Sequence, residues 1–253
     1  MAPHPPCGVG FKFVQREADN KMKKVTGVGI FATLLLFVPS LFGQNTNMYF
    51  NGGYQGSNWT YGSETVGTGF YDGSINNVQV GPGQPGGPGM VCDDFNDNIT
   101  SGETWTASAF NASTLSSNIG SLLFGSTIGV TGYTEVAYLV YQMFTTSPNA
   151  ANQAAYSEAI WALTGGVSAS ALTGQALTFY NNAKLYYGSM TTSELASLWI
   201  YTPNPRGPNE AQEMWGMVPV PEGGSAIAYL LLAGICCSAA MFSRRRQQMQ
   251  LQR

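Results

Sequence analysis

Met90-Val91-Cys92-Asp93-Asp94-Phe95 is the stretch on which the reading of this chain turns. Three apolar residues run into two acids and an aromatic, which predicts a short strand whose end carries the thiol and both carboxyls. Upstream, the patches Met48-Tyr49-Phe50, Trp59-Thr60-Tyr61, Phe70-Tyr71 and Val78-Gln79-Val80 are separated by Gly and Asn. That is the punctuation of short strands and hairpins. Residues 81–89 read Gly-Pro-Gly-Gln-Pro-Gly-Gly-Pro-Gly, an exposed loop, because Pro lacks a ladder donor and Gly is too costly to order. Downstream, Glu103-Thr104-Trp105-Thr106-Ala107 alternates like a returning strand, so residues 96–102 read as the turn of a hairpin.

Helical periodicity follows. After Thr134, an N-cap residue, Val136, Leu139, Val140, Met143 and Phe144 fall on one stripe, as a helix packed on a core requires. Ser147-Pro148 opens a second helix with Tyr156, Ala159, Ile160 and Leu163 on one face and Gly165-Gly166 as its stop. A third is expected over residues 175–187 and a short fourth over 193–197. Strands return at 198–202 and 213–218. The fold class is therefore α+β, with a β-rich N-terminal part and C-terminal strands around a central helical segment.

Both ends read as targeting segments. Lys23-Lys24, the apolar residues 28–42 and the small Gly43 match a secretory signal over residues 22–43, with Met22 a better start than Met1 and an uncleaved anchor as the alternative. Residues 1–21 then read as a mis-start or disordered extension. At the other end Val220-Pro221-Glu222-Gly223-Gly224 leads into an uncharged run at 226–242 and then Arg244-Arg245-Arg246. At about 1.5 Å per helical residue the run spans roughly 25 Å against a bilayer core of about 30 Å. One C-terminal transmembrane helix is therefore expected, with the arginines as a cytoplasmic basic stop. Residues 44–218 remain as the exported domain and 219–253 as its tail.

The chemistry open to residues 44–218 is narrow. Eleven acids face only Lys184 and Arg206, a net charge of −9, which repels phosphate backbones and argues against nucleic acid as a partner. The chain's single histidine is His4, so Ser-His and Cys-His catalysis and His-ligated zinc or copper are excluded from the domain. Asp93 and Asp94 are adjacent on a strand and would point to opposite faces, the wrong arrangement for a glycosidase pair. Asp94, Asn96 and Asn98 have the 1-3-5 spacing of a calcium loop, but Ile99 and Trp105 stand where that loop needs Gly and Glu. They read as weak calcium candidates beside the simpler role of Asx-turn residues. No cofactor and no enzymatic activity are expected. Cys92 is the domain's one cysteine and cannot form an internal disulfide.

Two resemblances are carried by these motifs. The order Val220-Pro221-Glu222-Gly223-Gly224, one apolar span and Arg244-Arg245-Arg246 resembles the PEP-CTERM sorting tails of Gram-negative bacteria. It implies a precursor anchored in the inner membrane and an exosortase-like protease that reads Pro221-Glu222. That enzyme would release the protein to the envelope or the extracellular matrix, where a polysaccharide or another surface ligand would be its partner. The Gly-Gly after Glu222 matches a sub-variant of that motif. Cys92-Asp93-Asp94 on a strand, with Ala159-Ile160-Trp161 late in a helix, is similar to the thioester domains of bacterial surface adhesins. That likeness implies a covalent adhesin in which Cys92 is joined to a glutamine. Ser157 occupies the family's Gln position, and Gln153, one helical turn earlier, is the nearby substitute. The expected function is a non-enzymatic exported envelope or matrix protein, with the covalent adhesin as the alternative.

Overall fold

A computed structural model describes residues 44–205 and 211–218, together with Gly234. The strands are β1 (Gln44–Tyr54), β2 (Asn58–Tyr61), β3 (Glu64–Gly67), β4 (Phe70–Ile75), β5 (Val78–Val80), β6 (Met90–Cys92), β7 (Thr104–Asn111), β8 (Trp199–Pro203) and β9 (Met214–Gly216). Between β7 and β8 lie the helices α1 (Leu115–Asn118), α2 (Gly125–Thr146), α3 (Ala150–Thr164), α4 (Gly174–Tyr186) and α5 (Thr192–Ala196).

Six antiparallel strands close into a barrel in the order β1-β7-β8-β9-β6-β4, because β4 pairs with β1 as well as with β6. β5 continues from β4, and β2 and β3 form a separate ribbon. Closure removes open sheet edges from the barrel. Strand alternation then sorts the side chains. Met48, Phe50, Tyr71, Met90, Cys92, Tyr201 and Met214 fill the interior beside the small Ala107 and Ala109. Val91, Phe110, Ile200 and Trp215 point outward and pack under Val136, Val140, Met143, Ile160 and Trp161 of the helices. Strands covered on both faces in this way are apolar throughout, as β6 and β9 are.

The expected apolar stripe Val136, Leu139, Val140, Met143 and Phe144 is buried. Thr134, however, is not a cap. α2 reaches back to Gly125 across a kink at Gly129, whose φ of 62° a side chain would resist, and the Thr134 hydroxyl donates to the Val130 carbonyl. α3 begins after Asn149, which accepts from the Asn152 N–H, and ends at Gly165 with φ 89°. α5 opens on a reciprocal capping box between Thr191 and Glu194.

Three expectations are corrected. β6 and β7 are not a hairpin: β6 lies between β4 and β9, and β7 between β1 and β8. The alternation of β7 turns Ala107 and Ala109 into the barrel without specifying a neighbour, and β1 and β8 take its two edges. Strands from both ends of the domain also interleave in one barrel, where they were expected to flank the helices. Finally, the expected transmembrane helix at 226–242 is not part of the described fold: among the described residues no helix is long and apolar enough to cross a membrane. The longest, α2, has 22 residues but is interrupted at Gly129 and carries Glu135 and five threonines. Residues 1–43 and 219–253, Gly234 apart, lie outside the described residues, and with them the signal at 22–43, the motif 220–224 and the basic stop at 244–246.

Candidate functional site

β6 ends against the last turn of α3, where the Thr164 hydroxyl donates to the Asp93 carbonyl at 2.8 Å, and this junction collects the residues that carry chemistry. Cys92 points into the barrel and is 1% exposed. Its thiol donates to the Asp94 carbonyl at 3.0 Å and accepts from the Asp94 N–H at 3.3 Å. Burial pushes the thiol well above its ordinary pKa, and the carboxyls of Asp94 and Asp93 push it further. The Trp161 indole works the other way, favouring the thiolate, although its Nε1–H lies outside hydrogen-bonding geometry. The indole therefore faces the sulfur without being satisfied by it. With burial and two carboxyls outweighing it, Cys92 stays a neutral thiol and a poor nucleophile.

Beside the thiol a cleft of about 240 Å³ opens at the barrel mouth, walled by Phe50, Tyr71, Phe95 and Trp161 and bordered by Asp94 and Gln212. Phe95 and Trp161 approach with ring centres 5.4 Å apart, and Trp59 of the β2–β3 ribbon lies 5.9 Å from each. Asp94 Oδ1 accepts from the N–H groups of Asn96 at 3.0 Å and Asp97 at 3.4 Å, an Asx turn. Burial and the neighbouring Asp97 charge hold the Asp94 carboxyl up to about 6. Gln212 Nε2 donates to the carbonyls of Asp94, at 2.9 Å, and Asp97.

On the outer face of β6 a second group is assembled. Asp93 and Glu213 are both fully buried. Glu213 accepts from Tyr133 Oη at 2.5 Å, from the Leu123 N–H at 3.0 Å and from the Thr202 hydroxyl. Asp93 Oδ2 accepts from Trp215 Nε1 at 2.7 Å, and its Oδ1 has no donor among the described residues. Burial raises both carboxyls, and the charge of Glu213 raises Asp93 further, whereas its donors oppose the rise at Glu213. Of the two, Glu213 is the better placed to hold the charge and Asp93 the more readily protonated. Tyr133, desolvated and facing that charge, is raised as well.

The predicted residues divide. Cys92, Asp94 and Trp161 come together. Gln153 does not join them: it precedes Trp161 on α3 by eight residues, about 12 Å of helix. Its Oε1 accepts from the Phe70 N–H at 3.2 Å, and its Nε2 donates to the Pro148 carbonyl at 3.1 Å. Ser157 Oγ accepts from the Gly69 N–H at 2.9 Å. Asn96 and Asn98 are exposed on the loop after Asp94. Among the described residues no group of three or more His, Cys, Asp or Glu is placed to hold a metal ion. Sequence reasoning passed over Gln212, Glu213, Tyr133 and Thr202, which become a site only when β9 is laid beside β6. Comparison with protein-family models, with curated proteins and with solved structures finds no match.

Proposed function

We propose that the chain is a non-enzymatic protein of the cell envelope or extracellular matrix. In this reading a signal at residues 22–43 exports it and an exosortase-like protease sorts it by reading Pro221-Glu222. The observation that carries the reading is the order of Val220-Pro221-Glu222-Gly223-Gly224, an uncharged run and Arg244-Arg245-Arg246 behind a domain almost without basic residues. Cys92 supports the non-enzymatic part. Its thiol is enclosed and kept neutral, and the domain has no histidine to activate it.

Against the covalent adhesin stands the engagement of the acyl candidates. The Gln153 amide is held at both ends by backbone groups, and Ser157 has no acyl group to offer. Sorting is tested by fractionating cells that express the chain with Pro221→Ala and Glu222→Ala together. The unaltered protein should appear outside the cytoplasm with an N-terminus near Gln44 and without its last residues, and the double variant should retain its tail. Unaltered protein found in the cytoplasm with Met22 intact would contradict the proposal.

A further inference from the structure

β1 interrupts its pairing over three residues, Asn51-Gly52-Gly53. On the β7 side its partners stop at Tyr49, and on the β4 side they step from Phe50 to Tyr54. The interruption has a fixed shape. Gly52 has φ 96°, and a Cβ on it would stand 2.3 Å from Ser101 Oγ, so the fold requires glycine there. Asn51 in front of it is exposed, and this is the chain's one Asn-Gly pair.

Two hydrogen bonds hold the pair, and each activates one of two groups that can react with each other. The Gly53 N–H donates to Asn51 Oδ1 at 2.8 Å. That bond makes the side-chain amide carbon more electrophilic, and it closes a turn whose ring contains both this carbon and the Gly52 nitrogen. The Ser101 hydroxyl donates to the Asn51 main-chain carbonyl at 2.9 Å, which polarises the Asn51-Gly52 peptide and makes its N–H easier to deprotonate. Asn51 Nδ2 has no hydrogen-bond partner among the described residues, so nothing there retains it as a leaving group.

We propose that Asn51 is a site of spontaneous deamidation. The Gly52 nitrogen gives its proton to solvent base and bonds to Asn51 Cγ; the Cγ–Nδ2 bond breaks, and Nδ2 leaves as ammonia with a proton from water. The resulting succinimide takes up water at either carbonyl and opens to aspartate or to isoaspartate, in which the main chain runs through the side-chain carbon. Asp72-Gly73 is the internal contrast. Asp72 Oδ1 is held by Gln55 Nε2 at 2.9 Å, and Gly73 is paired with Phe50 on one side and Val80 on the other, so this Asp-Gly pair keeps its normal linkage.

The test incubates the purified full-length chain at pH 8 in water enriched in heavy oxygen and maps its peptides by mass spectrometry, with fragmentation that tells isoaspartate from aspartate. Asn51 should convert faster than any other described asparagine, taking up heavy oxygen and giving both acids, while Asp72 is unchanged. Ser101→Ala, at an exposed position, leaves the Asn-Gly pair intact and should slow the conversion severalfold; its amide spectrum must match that of the unaltered protein, so that the rate reports the lost hydrogen bond and not unfolding. The chain unfolded in urea supplies the rate of the bare sequence. Asn51 remaining intact in the folded protein while the unfolded chain converts, or a rate that Ser101→Ala leaves unchanged, would overturn the proposal.

Discussion

Asp93 and Glu213 lie against each other at the ends of neighbouring strands, the Asp93 N–H donating to the Glu213 carbonyl at 3.3 Å, and no basic side chain among the described residues pairs with them. The ion pair found among the described residues, Lys184 with Glu135, is elsewhere. Two buried carboxyls with no cation beside them disfavour the doubly ionised form. The division of labour between them follows from their partners. Glu213 accepts three hydrogen bonds and is suited to the charge, and Asp93, with one, keeps the proton.

This pair gives stability an unusual pH dependence. Asp93, Glu213 and Asp94 are all raised in the folded protein, so the native state holds protons that the unfolded chain, titrating near 4, has released. Stability should therefore be greatest near the unfolded values and fall as pH rises through the folded ones. Glu194 is shifted the opposite way, but it is solvent-exposed and its contribution is screened. Thermal melts should give a higher Tm at pH 5 than at pH 8; a Tm rising over that interval would refute the raised carboxyls.

Substitution should separate the two carboxyls. Asp93→Asn replaces a protonated acid with a neutral donor of the same shape, so it should be tolerated at pH 8 and flatten the pH slope. Glu213→Gln introduces an N–H₂ where three donors converge, and it should destabilise by about 1–3 kcal/mol. Chemical denaturation of both variants at pH 8 checks the order; equal losses would place the proton on neither residue in particular.

Trp161 should be the domain's most costly aromatic truncation near the cleft. It is 1% exposed and packs on Phe95 and Trp59, so Trp161→Ala should lose about 3–5 kcal/mol. A loss below about 1 kcal/mol in urea denaturation would show that the side chain is not packed as described.

Barrel closure rests on a close approach at Gly73, which pairs with Phe50 across β1 and β4. A Cβ there would stand 1.9 Å from the Tyr49 carbonyl oxygen, a backbone atom that cannot step aside. Gly73→Ala should therefore cost about 1–3 kcal/mol, whereas Gly120→Ala, with nothing within 4 Å, should be near neutral. Equal stability of the two variants by thermal melt would mean that β1 and β4 can separate without penalty.

The sequence signals that proved legible are local ones. The stripe from Val136 to Phe144, the stop at Gly165 and the loop at 81–89 depend on residues a few positions apart, and their periodicity or turn chemistry can be read directly. The hairpin expected between residues 90–95 and 103–107 failed because alternation says which face is buried and not which strand is the neighbour. β1, more than fifty residues upstream of β7, is the neighbour. The site was half legible for the same reason. Cys92, Asp94 and Trp161 stood out as residue types, but Gln212 and Glu213 look like ordinary polar residues until β9 brings them against β6. Gln153 was placed one turn from Ser157 correctly, but sequence could not show that its amide is occupied by Phe70 and Pro148.

The state of Cys92 decides most directly between a non-enzymatic envelope protein and a covalent adhesin, and intact mass of the natively purified protein, with and without methylamine, reads it. The account predicts the plain mass of the processed chain, no uptake of methylamine, and reaction with a thiol reagent only after denaturation, because the thiol is enclosed and its pKa raised. A mass lighter by one ammonia, restored by methylamine and abolished by Cys92→Ala or Gln153→Ala, would contradict it.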